Sequence, residues 1–363
     1  MLIWNPRILK NISIGCLILF SVLAAAKDYR GAEYRTIETY RYGRFETRMK
    51  AAPHSGIISS LCTFHEYGDA GVANWNEIDI EFLGRYTDRV QYNAITSGIS
   101  GHEHSNPLNY DPAEAFHIYA FEWTPDYVAW FVDGLETHRQ TGSHIDDLHR
   151  YQKLMMNIWP STSVSWAGAF NEADLPSYAF YDYVTYYYYM PGTGNTGTDN
   201  NFIQYWQDDF ESWDTNRWQK AAHTWDTNNC DFIPDNAVVT DGYLVLCLTT
   251  PGNTGYHGPA LSTEDDHGAI PTGFYLSPAY PNPFNGEVRL ALETPDTANL
   301  TMSIYDATGG LKYHVALPDD GREHHFMHWD GRDQSGELLA SGAYIVQVSS
   351  PNRQTSQKVV LLK

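Results

Sequence analysis

The sequence contains little cysteine, with 4 residues in a chain of 363. Cys16 lies in an apolar segment that we expect to be removed on export, which leaves Cys62, Cys230 and Cys247. An odd number of cysteines leaves at least one thiol without a partner in the chain. Cys247 alternates with leucines in a strand-like run, a setting typical of a small buried side chain. A scaffold built on disulfides is therefore excluded.

Basic residues are also scarce, with 23 Lys and Arg against 44 Asp and Glu and a formal net charge of −21. Binding to nucleic acid depends on clustered basic side chains that neutralise phosphates, so we expect no nucleic-acid partner. Charged residues make up 18% of the chain and hydrophobic residues 42%, a balance that excludes a disordered protein. Aromatic residues are abundant instead, at 14%, and this excess needs an explanation.

Long hydrophobic runs are missing after the first segment of the chain. In that segment Arg7 and Lys10 precede an apolar run over 12–23, and Ala24–Ala26 supply the small residues that signal peptidase accepts. The apolar run is too short to cross a bilayer comfortably. We therefore predict a signal peptide at 1–26, a secreted or cell-surface location and no transmembrane segment.

Helical periodicity is almost absent, whereas strand-like runs recur between tight turns. The clearest runs are Tyr119–Trp123, Tyr127–Val132, Leu154–Trp159, Tyr178–Tyr189 and Tyr243–Leu248. Many short strands joined by turns indicate antiparallel sheets packed as a sandwich. The fold class is therefore predicted to be all-β.

Two segments lack a strand pattern and are rich in turn residues. We interpret 190–201 as a surface loop within one domain, because the segment that follows it is too small to bury a core by itself. Residues 257–273 are predicted to be a linker. The predicted domains are thus 27–256 and 274–363, and the second has the strand spacing of a small immunoglobulin-like sandwich.

The sharpest local pattern is the run WNEIDIEFLG, from Trp75 to Gly84. Strand alternation places its apolar side chains on one face and Glu77, Asp79 and Glu81 on the other. The simpler interpretation is a half-exposed strand with a solvated acidic face. The chemical interpretation is a retaining glycosidase, in which crowded carboxyls keep a proton near neutral pH and so place an acid beside a carboxylate nucleophile.

Aromatic and amide side chains occur nearby in strand context. Sugar rings stack on flat aromatic faces, and their hydroxyls need polar partners. Side chains of both kinds are Trp75, Trp159, Trp166, Gln91, Asn93 and Asn157. A single Trp is as often a core residue. Together with the acidic strand, the set favours a site for a polysaccharide.

The run NEIDIEFLG resembles the active-site strand of the lichenases, the endo-1,3-1,4-β-glucanases of glycoside hydrolase family 16. The resemblance extends over most of 28–250 and includes GAEYRT, YGRFETRMKAA, FHIYAFEWTPDYVAWFVDG and LMMNIWP. It implies a β-jelly roll in which Glu77 is the nucleophile, Glu81 the acid/base and Asp79 a residue that orients the nucleophile. It implies no cofactor for catalysis. Positions that contact glucan in the family are occupied by Glu33, Arg35, Trp75, Gln91, Asn93, Trp159 and Trp166.

The order of the segments is similar to that of a circularly permuted branch of the family. DDFESWDTNRWQKA (208–221), which resembles the opening of most lichenases, here follows the catalytic strands. A loop such as 190–201 joins the old termini if these lie close together on the surface.

The chain also departs from the family pattern. Gly31 replaces a cysteine that in many relatives pairs with the equivalent of Cys230, so that bridge is expected to be missing. Cys62 and His223 stand at positions that are usually aromatic in the family, so the resemblance does not define the outer sugar subsites.

The resemblance further implies a structural calcium ion. Its ligands would be Asp182 and the backbone carbonyls of Asp209 and Gly242. Such oxygen ligands suit Ca²⁺.

The C-terminal segments YPNPFNG, IYDATGG and WDGRDQSGELLASGAY resemble the sorting domains of type IX secretion substrates and related flagellar-hook-capping immunoglobulin-like domains. This resemblance implies secretion machinery as a partner. A carbohydrate-binding module is the main alternative. The aromatic residues of this C-terminal part are Trp329, Phe326 and several tyrosines, and they are those expected of a core.

The leading hypothesis is a monomeric, secreted endo-glucanase that cleaves mixed-linkage β-glucan with retention of configuration. A xyloglucan hydrolase or transglycosylase and a laminarinase of the same fold are alternatives. A lectin that only binds glucan is the alternative from another class. The intact acidic strand argues against the lectin, since binding alone does not need stacked acids.

Overall fold

The computed structural model describes residues 26–66, 71–99, 101–261, 274–276, 279, 282–294, 299–317 and 324–363. The predicted signal peptide, apart from Ala26, and most of the predicted linker lie outside the described residues. Both remain predictions.

Strands dominate the part of the chain before the linker, and each of its α-helices is a single turn. The strands are β1 (Tyr29–Thr36), β2 (Gly43–Lys50), β3 (Ile57–Phe64), β4 (Asn76–Leu83), β5 (Arg89–Thr96), β6 (His104–Pro107), β7 (His117–Trp123), β8 (Val128–Val132), β9 (Leu135–Gln140), β10 (Lys153–Pro160), β11 (Ser177–Tyr189), β12 (Phe202–Asp208), β13 (Trp218–Lys220), β14 (Cys230–Phe232), β15 (Ala237–Thr240) and β16 (Tyr243–Leu248), and the helices are α1 (Ser143–Asp146) and α2 (Val164–Ala167).

These strands form two sheets. The first has the order β13-β1-β10-β3-β4-β5-β6, with β14 added beside β1. The second has the order β15-β16-β11-β2-β7-β8-β9, with β12 added beside β11. Because β11 and β12 pair antiparallel, residues 190–201 connect neighbouring strands of one sheet. Some neighbours in each sheet, such as β1 and β10 or β2 and β11, are far apart in sequence, as a jelly roll requires, whereas others, such as β3, β4 and β5, follow one another.

The main hydrophobic core joins side chains of both sheets. Ile78 and Ile80 of β4 are fully buried in it, and each contributes roughly 1.5–3 kcal/mol on burial. Phe45 and Phe121 of the second sheet stack at a ring distance of 5.0 Å in the same core. Trp130 also donates from Nε1 to the carbonyl oxygen of Asp79 over 2.9 Å, which ties the second sheet to β4.

This core accounts for much of the aromatic excess. Trp123, Trp130 and Trp218 are among the largest fully buried side chains. Tyrosines of β11 contribute as well, since Tyr186 packs against Tyr40 at a ring distance of 4.3 Å. Such aromatic contacts add stability beyond the area that they bury.

Residues after the linker form two further sheets, of three and four strands, in the orders β17-β18-β21 and β20-β19-β22-β23. Their strands are β17 (Tyr275–Leu276), β18 (Val288–Glu293), β19 (Thr301–Asp306), β20 (Leu311–Ala316), β21 (His324–Trp329), β22 (Gly342–Ser349) and β23 (Gln354–Leu361). A separate core lies between them. Trp329 is 2% exposed and packs against Tyr344 in this core, so it offers no open surface to a sugar.

The all-β prediction is confirmed, both for the jelly roll and for the immunoglobulin-like sandwich. The predicted run Leu154–Trp159 lies within β10, and Tyr178–Tyr189 lies within β11. No helix in the described part of the chain has the length and apolarity that crossing a membrane requires.

Candidate active site

The site is built on β4, which lies between β3 and β5 in the first sheet. Residues directly opposite each other in neighbouring strands point to the same face of the sheet. Three rows of such partners cross the acidic strand, namely Ser60–Glu81–Gln91, Cys62–Asp79–Asn93 and Phe64–Glu77–Ile95. We refer to the sheet face that carries these rows as the acidic face.

Two of the rows continue across β10 to β1. Asn157 is opposite Ser60 and Glu33 is opposite Asn157. Met155 is opposite Cys62 in the same way, with Arg35 beyond it. Strand register therefore gathers side chains from five strands on one face, although they are up to 124 positions apart (157 − 33).

The three acids differ in their exposure. Asp79, in the middle, is only 4% exposed, whereas Glu77 and Glu81 are half-buried. Burial is the largest cause that raises the pKa of Glu77 to about 7 and that of Glu81 to about 8. The negative charge of Glu77 raises the pKa of Glu81 further. Crowding and burial thus place both groups where they exchange protons near neutral pH.

Hydrogen bonds distinguish Glu77 from Glu81. The indole Nε1 of Trp75 donates to Glu77 Oε2 over 2.6 Å, and Asp79 also bonds to Glu77. Both bonds favour the ionised form and lower the pKa of Glu77, whereas repulsion from Glu77 raises that of Glu81. Glu77 is therefore the carboxylate that ionises first, and Glu81 keeps its proton to higher pH.

Asp79 holds a proton between these two groups. Burial raises its pKa well above the ordinary range, and the charges of Glu77 and Glu81 raise it further. In its neutral form a carboxyl is a hydrogen-bond donor. Asp79 therefore donates to the Glu77 carboxylate and orients it.

A second acidic group lies toward β1. Glu33 is 4% exposed, and burial raises its pKa to about 7. Arg35 Nη1 lies 3.5 Å from Glu33 Oε1 and 2.8 Å from Glu66 Oε1. Glu66 also pairs with Lys153 at 3.2 Å. This network holds Arg35 on the face where sugar hydroxyls would need donors.

Aromatic rings border the acidic face. Trp159 packs against Trp166 at a ring distance of 5.9 Å and against Trp225 at 5.0 Å. Trp166 Nε1 donates to Gln91 Oε1 over 3.2 Å. Flat rings beside amide groups form the kind of surface that binds a sugar polymer.

The structure brings together the residues predicted to bind substrate. Six of them lie on the acidic face itself, whereas Trp75 precedes β4 and Trp166 lies on α2; the six are Glu33, Arg35, Gln91, Asn93, Asn157 and Trp159. Sequence reasoning missed Ser60, which donates to Asn157 Oδ1 over 2.8 Å, as well as Glu66 and Trp225. The run IISSLCTF has no alternation of polar and apolar residues, so no local signal marked Ser60.

The expected departure at Gly31 is confirmed. Cys230 is a free, buried thiol, and a Cβ placed on Gly31 would overlap its Sγ. Gly31 therefore lies as close to Cys230 as the second cysteine of a disulfide would, but it has no thiol. Cys62 is free and buried as well.

The residues predicted to hold calcium meet at a junction of strands. β11 pairs with β16 up to Tyr181 and with β12 from Val184 onward, so Asp182 lies between the end of β12 and the start of β16. Asp209 and Gly242 directly adjoin those two strand ends. Carboxylate and carbonyl oxygens are donors that suit Ca²⁺, so the calcium site remains a prediction. However, Asp182 Oδ2 is paired with Arg48 Nη1 at 2.7 Å, and a cation would have to displace that partner.

A cavity of about 780 Å³ lies away from the acidic face. It is lined by residues of the second sheet, such as Arg44 and Glu46, and by Arg289 and Met327 of the C-terminal part. Arg44 is paired there with Glu122 at 3.0 Å and with Glu46 at 2.8 Å. Arg44 and Glu46 are thus paired within the protein, whereas the crowded acids lie on the acidic face, and we place the site there.

Comparison with known proteins agrees with this geometry. The sequence pattern of Glycosyl hydrolases family 16 matches residues 19–183. A β-glucanase of Fibrobacter succinogenes is 38% identical over 239 residues, which cover 64% of this chain and 68% of that protein. The chain belongs to glycosyl hydrolases family 16. It is accordingly a glycosidase, and the acidic face is its candidate active site.

Other β-glucanases match a shorter part of the chain. A β-glucanase of Paenibacillus macerans is 41% identical over 184 residues, or 50% of this chain and 75% of that protein. The solved structure of a Bacillus licheniformis β-glucanase is 40% identical, covers 42% of this chain and 70% of its own, and has a TM-score of 0.40.

The pattern of the FlgD Ig-like domain matches residues 277–354.

Proposed function

We propose that the protein is a secreted endo-acting hydrolase that cleaves mixed-linkage 1,3-1,4-β-glucan with retention of configuration. The observation that carries this proposal is the unequal environment of two crowded carboxyls, because Glu77 accepts hydrogen bonds and Glu81 accepts none from the described residues. A glucan as substrate is supported by relatives of 38% and 41% identity that are β-glucanases.

In the first step Glu81 donates its proton to the glycosidic oxygen while Glu77 attacks the anomeric carbon. The bond between that carbon and the leaving oxygen breaks, and an ester between Glu77 and the sugar forms. Glu81 is then ionised and takes a proton from water, whose oxygen attacks the same carbon and releases Glu77. Two inversions at one carbon retain the configuration.

The neighbouring side chains support these roles. Neutral Asp79 keeps the Glu77 carboxylate in position for attack. Asn93, opposite Asp79, and Gln91, opposite Glu81, lie beside the acids on the acidic face, where sugar hydroxyls need polar partners. Trp159 and Trp166 supply apolar surface for neighbouring sugar rings.

Replacing each acid tests the assigned roles. We expect E77Q and E81Q each to abolish hydrolysis of barley β-glucan, measured as reducing ends, while both still bind the polymer. E81Q should still react with an aryl glucoside whose leaving group needs no proton, because only the acid is missing. Near-normal turnover of β-glucan by either variant contradicts the assignment.

The linkage preference is tested by comparing substrates. Reducing-sugar release from lichenan should exceed that from laminarin, xyloglucan and cellulose. A preference for laminarin supports a laminarinase, and transfer of glycosyl groups to added sugars supports a transglycosylase. Binding of glucan without any release of reducing ends supports the lectin.

The remaining parts of the proposal concern export and architecture. The predicted signal peptide and the immunoglobulin-like domain are proposed to direct secretion, with the C-terminal domain as the sorting signal read by secretion machinery. The position of 208–221 after the catalytic strands supports circular permutation. A calcium ion at Asp182 is proposed to stabilise the junction of β11, β12 and β16 and takes no part in the chemistry.

A further inference from the structure

One reactive group on the acidic face has no part in the proposed reaction. Cys62 lies in the middle of its row, directly opposite Asp79 in the register of β3 and β4. Its side chain is 4% exposed and forms no disulfide. A thiol is neither the nucleophile nor the acid of this chemistry, so its position beside Glu77 and Asp79 calls for another explanation.

The geometry around Cys62 is that of a set of metal ligands. Cys62 Sγ and one carboxylate oxygen each from Glu77 and Asp79 all lie within 4.8 Å of one another. Around a tetrahedral zinc ion, such sulfur and oxygen ligands are about 3.3–3.6 Å apart. The three atoms would therefore have to approach one another by at most about 1.5 Å to close around a cation.

A fourth donor on the same face has no partner. Asn93 is 5% exposed, and its Oδ1 makes no hydrogen bond. It lies directly opposite Asp79 in β5, so its side chain points to the same face as Cys62. A buried carbonyl oxygen without a donor is costly, and coordination of a cation removes that cost.

The charge of the site favours a cation as well. Among the described residues, no ion pair is formed by Glu77, Asp79 or Glu81, and the pairs of Arg35 and Lys153 are made with Glu33 and Glu66. Burial and the adjoining Glu77 and Asp79 carboxyls raise the pKa of the Cys62 thiol. No basic side chain of the described residues therefore competes with a cation for these groups, and a bound cation replaces the protons that they hold.

We infer that Cys62, Glu77 and Asp79, with Asn93 Oδ1, form a binding site for a thiophilic divalent cation such as Zn²⁺ or Cd²⁺. Binding forms one metal–sulfur bond and two or three metal–oxygen bonds, and the protons of the thiol and of Asp79 are released to solvent. The occupied site holds Glu77, so the cation blocks hydrolysis. Inhibition, but not binding, rests on the proposed function.

The test is a titration of the full-length mature protein with Cd²⁺ in the absence of substrate. Thiolate coordination to Cd²⁺ produces an absorption band in the near ultraviolet. We expect one Cd²⁺ ion to bind per chain and to produce this band. Added Zn²⁺ should displace the Cd²⁺ and remove the band. In C62S the band should disappear and the affinity should fall at least about tenfold, as expected for the loss of a ligand.

C230S is the matched control, because Cys230 is also a free, buried thiol but belongs to β14. It should keep the band and the affinity of the parent protein. Absence of a band in the parent, its persistence in C62S or its loss in C230S overturns the inference. If C62S does not fold, D79N serves instead, since it keeps the thiol but should weaken Cd²⁺ binding by a similar factor.

Inhibition is measured on the same proteins with barley β-glucan, each against its own rate without metal. Zn²⁺ should inhibit the parent and C230S, and EDTA should restore the rate. C62S should need at least about tenfold more Zn²⁺. Equal sensitivity of C62S and the parent contradicts the inferred block. A protein that binds Cd²⁺ through Cys62 but hydrolyses no glucan refutes the proposed function and leaves the metal site standing.

Discussion

Trp75 Nε1 donates to Glu77 Oε2 over 2.6 Å, so the residue just before β4 lowers the pKa of a residue within it. A hydrogen bond to an ionised carboxylate stabilises the charged form. Trp75 and Glu77 are only two positions apart, so this hydrogen bond is determined locally, at the start of β4. It favours the ionised form of Glu77, the proposed nucleophile, at a position where burial opposes ionisation.

Replacing Trp75 with phenylalanine should therefore shift the pH profile. W75F removes the donor, the pKa of Glu77 rises, and a smaller fraction is ionised at a given pH. We expect the acidic limb of kcat/KM on β-glucan to move up by about one pH unit, with the basic limb, set by Glu81, moving less. W225F, which changes another tryptophan next to the acidic face, is the control. An unchanged acidic limb in W75F contradicts the role of this bond.

The raised pKa values also predict how stability depends on pH. Glu33, Asp79 and Glu81 keep protons in the folded protein that the unfolded chain loses above about pH 4–4.5. From there up to about pH 7–8 the folded state binds more protons, so the free energy of unfolding falls as pH rises. Tm should accordingly decrease between pH 5 and pH 8.

D79N isolates one of these groups, because Asn stays neutral at every pH. The difference in Tm between D79N and the parent should shift in favour of D79N as pH rises from 5 to 8. The exposed acid Glu211 provides the control variant E211Q, whose difference from the parent should stay constant. A D79N difference that is also independent of pH argues against a buried proton on Asp79.

The alternation in WNEIDIEFLG was enough to predict which side chains of β4 share a face, because period two is a local property of any strand. The pairing of that strand was not local. Ser60 meets Asn157 only because β3 pairs with β10, whose residues follow almost 100 positions later (157 − 60 = 97). Burial of Glu33 likewise follows from packing of β1 between distant strands. Composition and alternation carry no information on either contact.

Gly31 provides a test of close packing between β1 and β14. A Cβ at this position would overlap Cys230 Sγ and lie 2.6 Å from the carbonyl oxygen of Ile158. G31A should lower the free energy of unfolding by about 1–3 kcal/mol, as overpacking does, and Tm by several degrees. Combining it with C230A should recover part of the loss, since the thiol is one of the two obstacles.

The matched control is G252A, because a Cβ on Gly252 meets nothing within 4 Å. Its Tm should stay close to that of the parent. A G31A protein as stable as G252A shows that β1 and β14 are less closely packed than described, and additive losses for G31A and C230A show that the thiol is not the obstacle.

The C-terminal domain has its own hydrophobic core, and the jelly roll has another. Deleting 274–363 should therefore leave the specific activity on β-glucan close to that of the whole protein. In a host with type IX secretion the truncated enzyme should stay inside the cell, and a reporter fused to 274–363 behind the signal peptide should be exported. Normal export of the truncated enzyme refutes the sorting role.

Calcium should stabilise the jelly roll if Asp182 binds it. Ligand at about 100 times its Kd adds about 2.7 kcal/mol, which corresponds to a rise in Tm of roughly 5–10 °C for a domain of this size. Arg48 competes for the same carboxylate, so R48Q should bind Ca²⁺ more tightly and D182N should lose the effect. Thermal melts with Ca²⁺, with Mg²⁺ and with EGTA measure this. If the parent has the same Tm in Ca²⁺ as in EGTA, the site is excluded. The parent and D182N differ only at the proposed ligand, so if Ca²⁺ raises the Tm of D182N as much as that of the parent, the ion is bound by other residues.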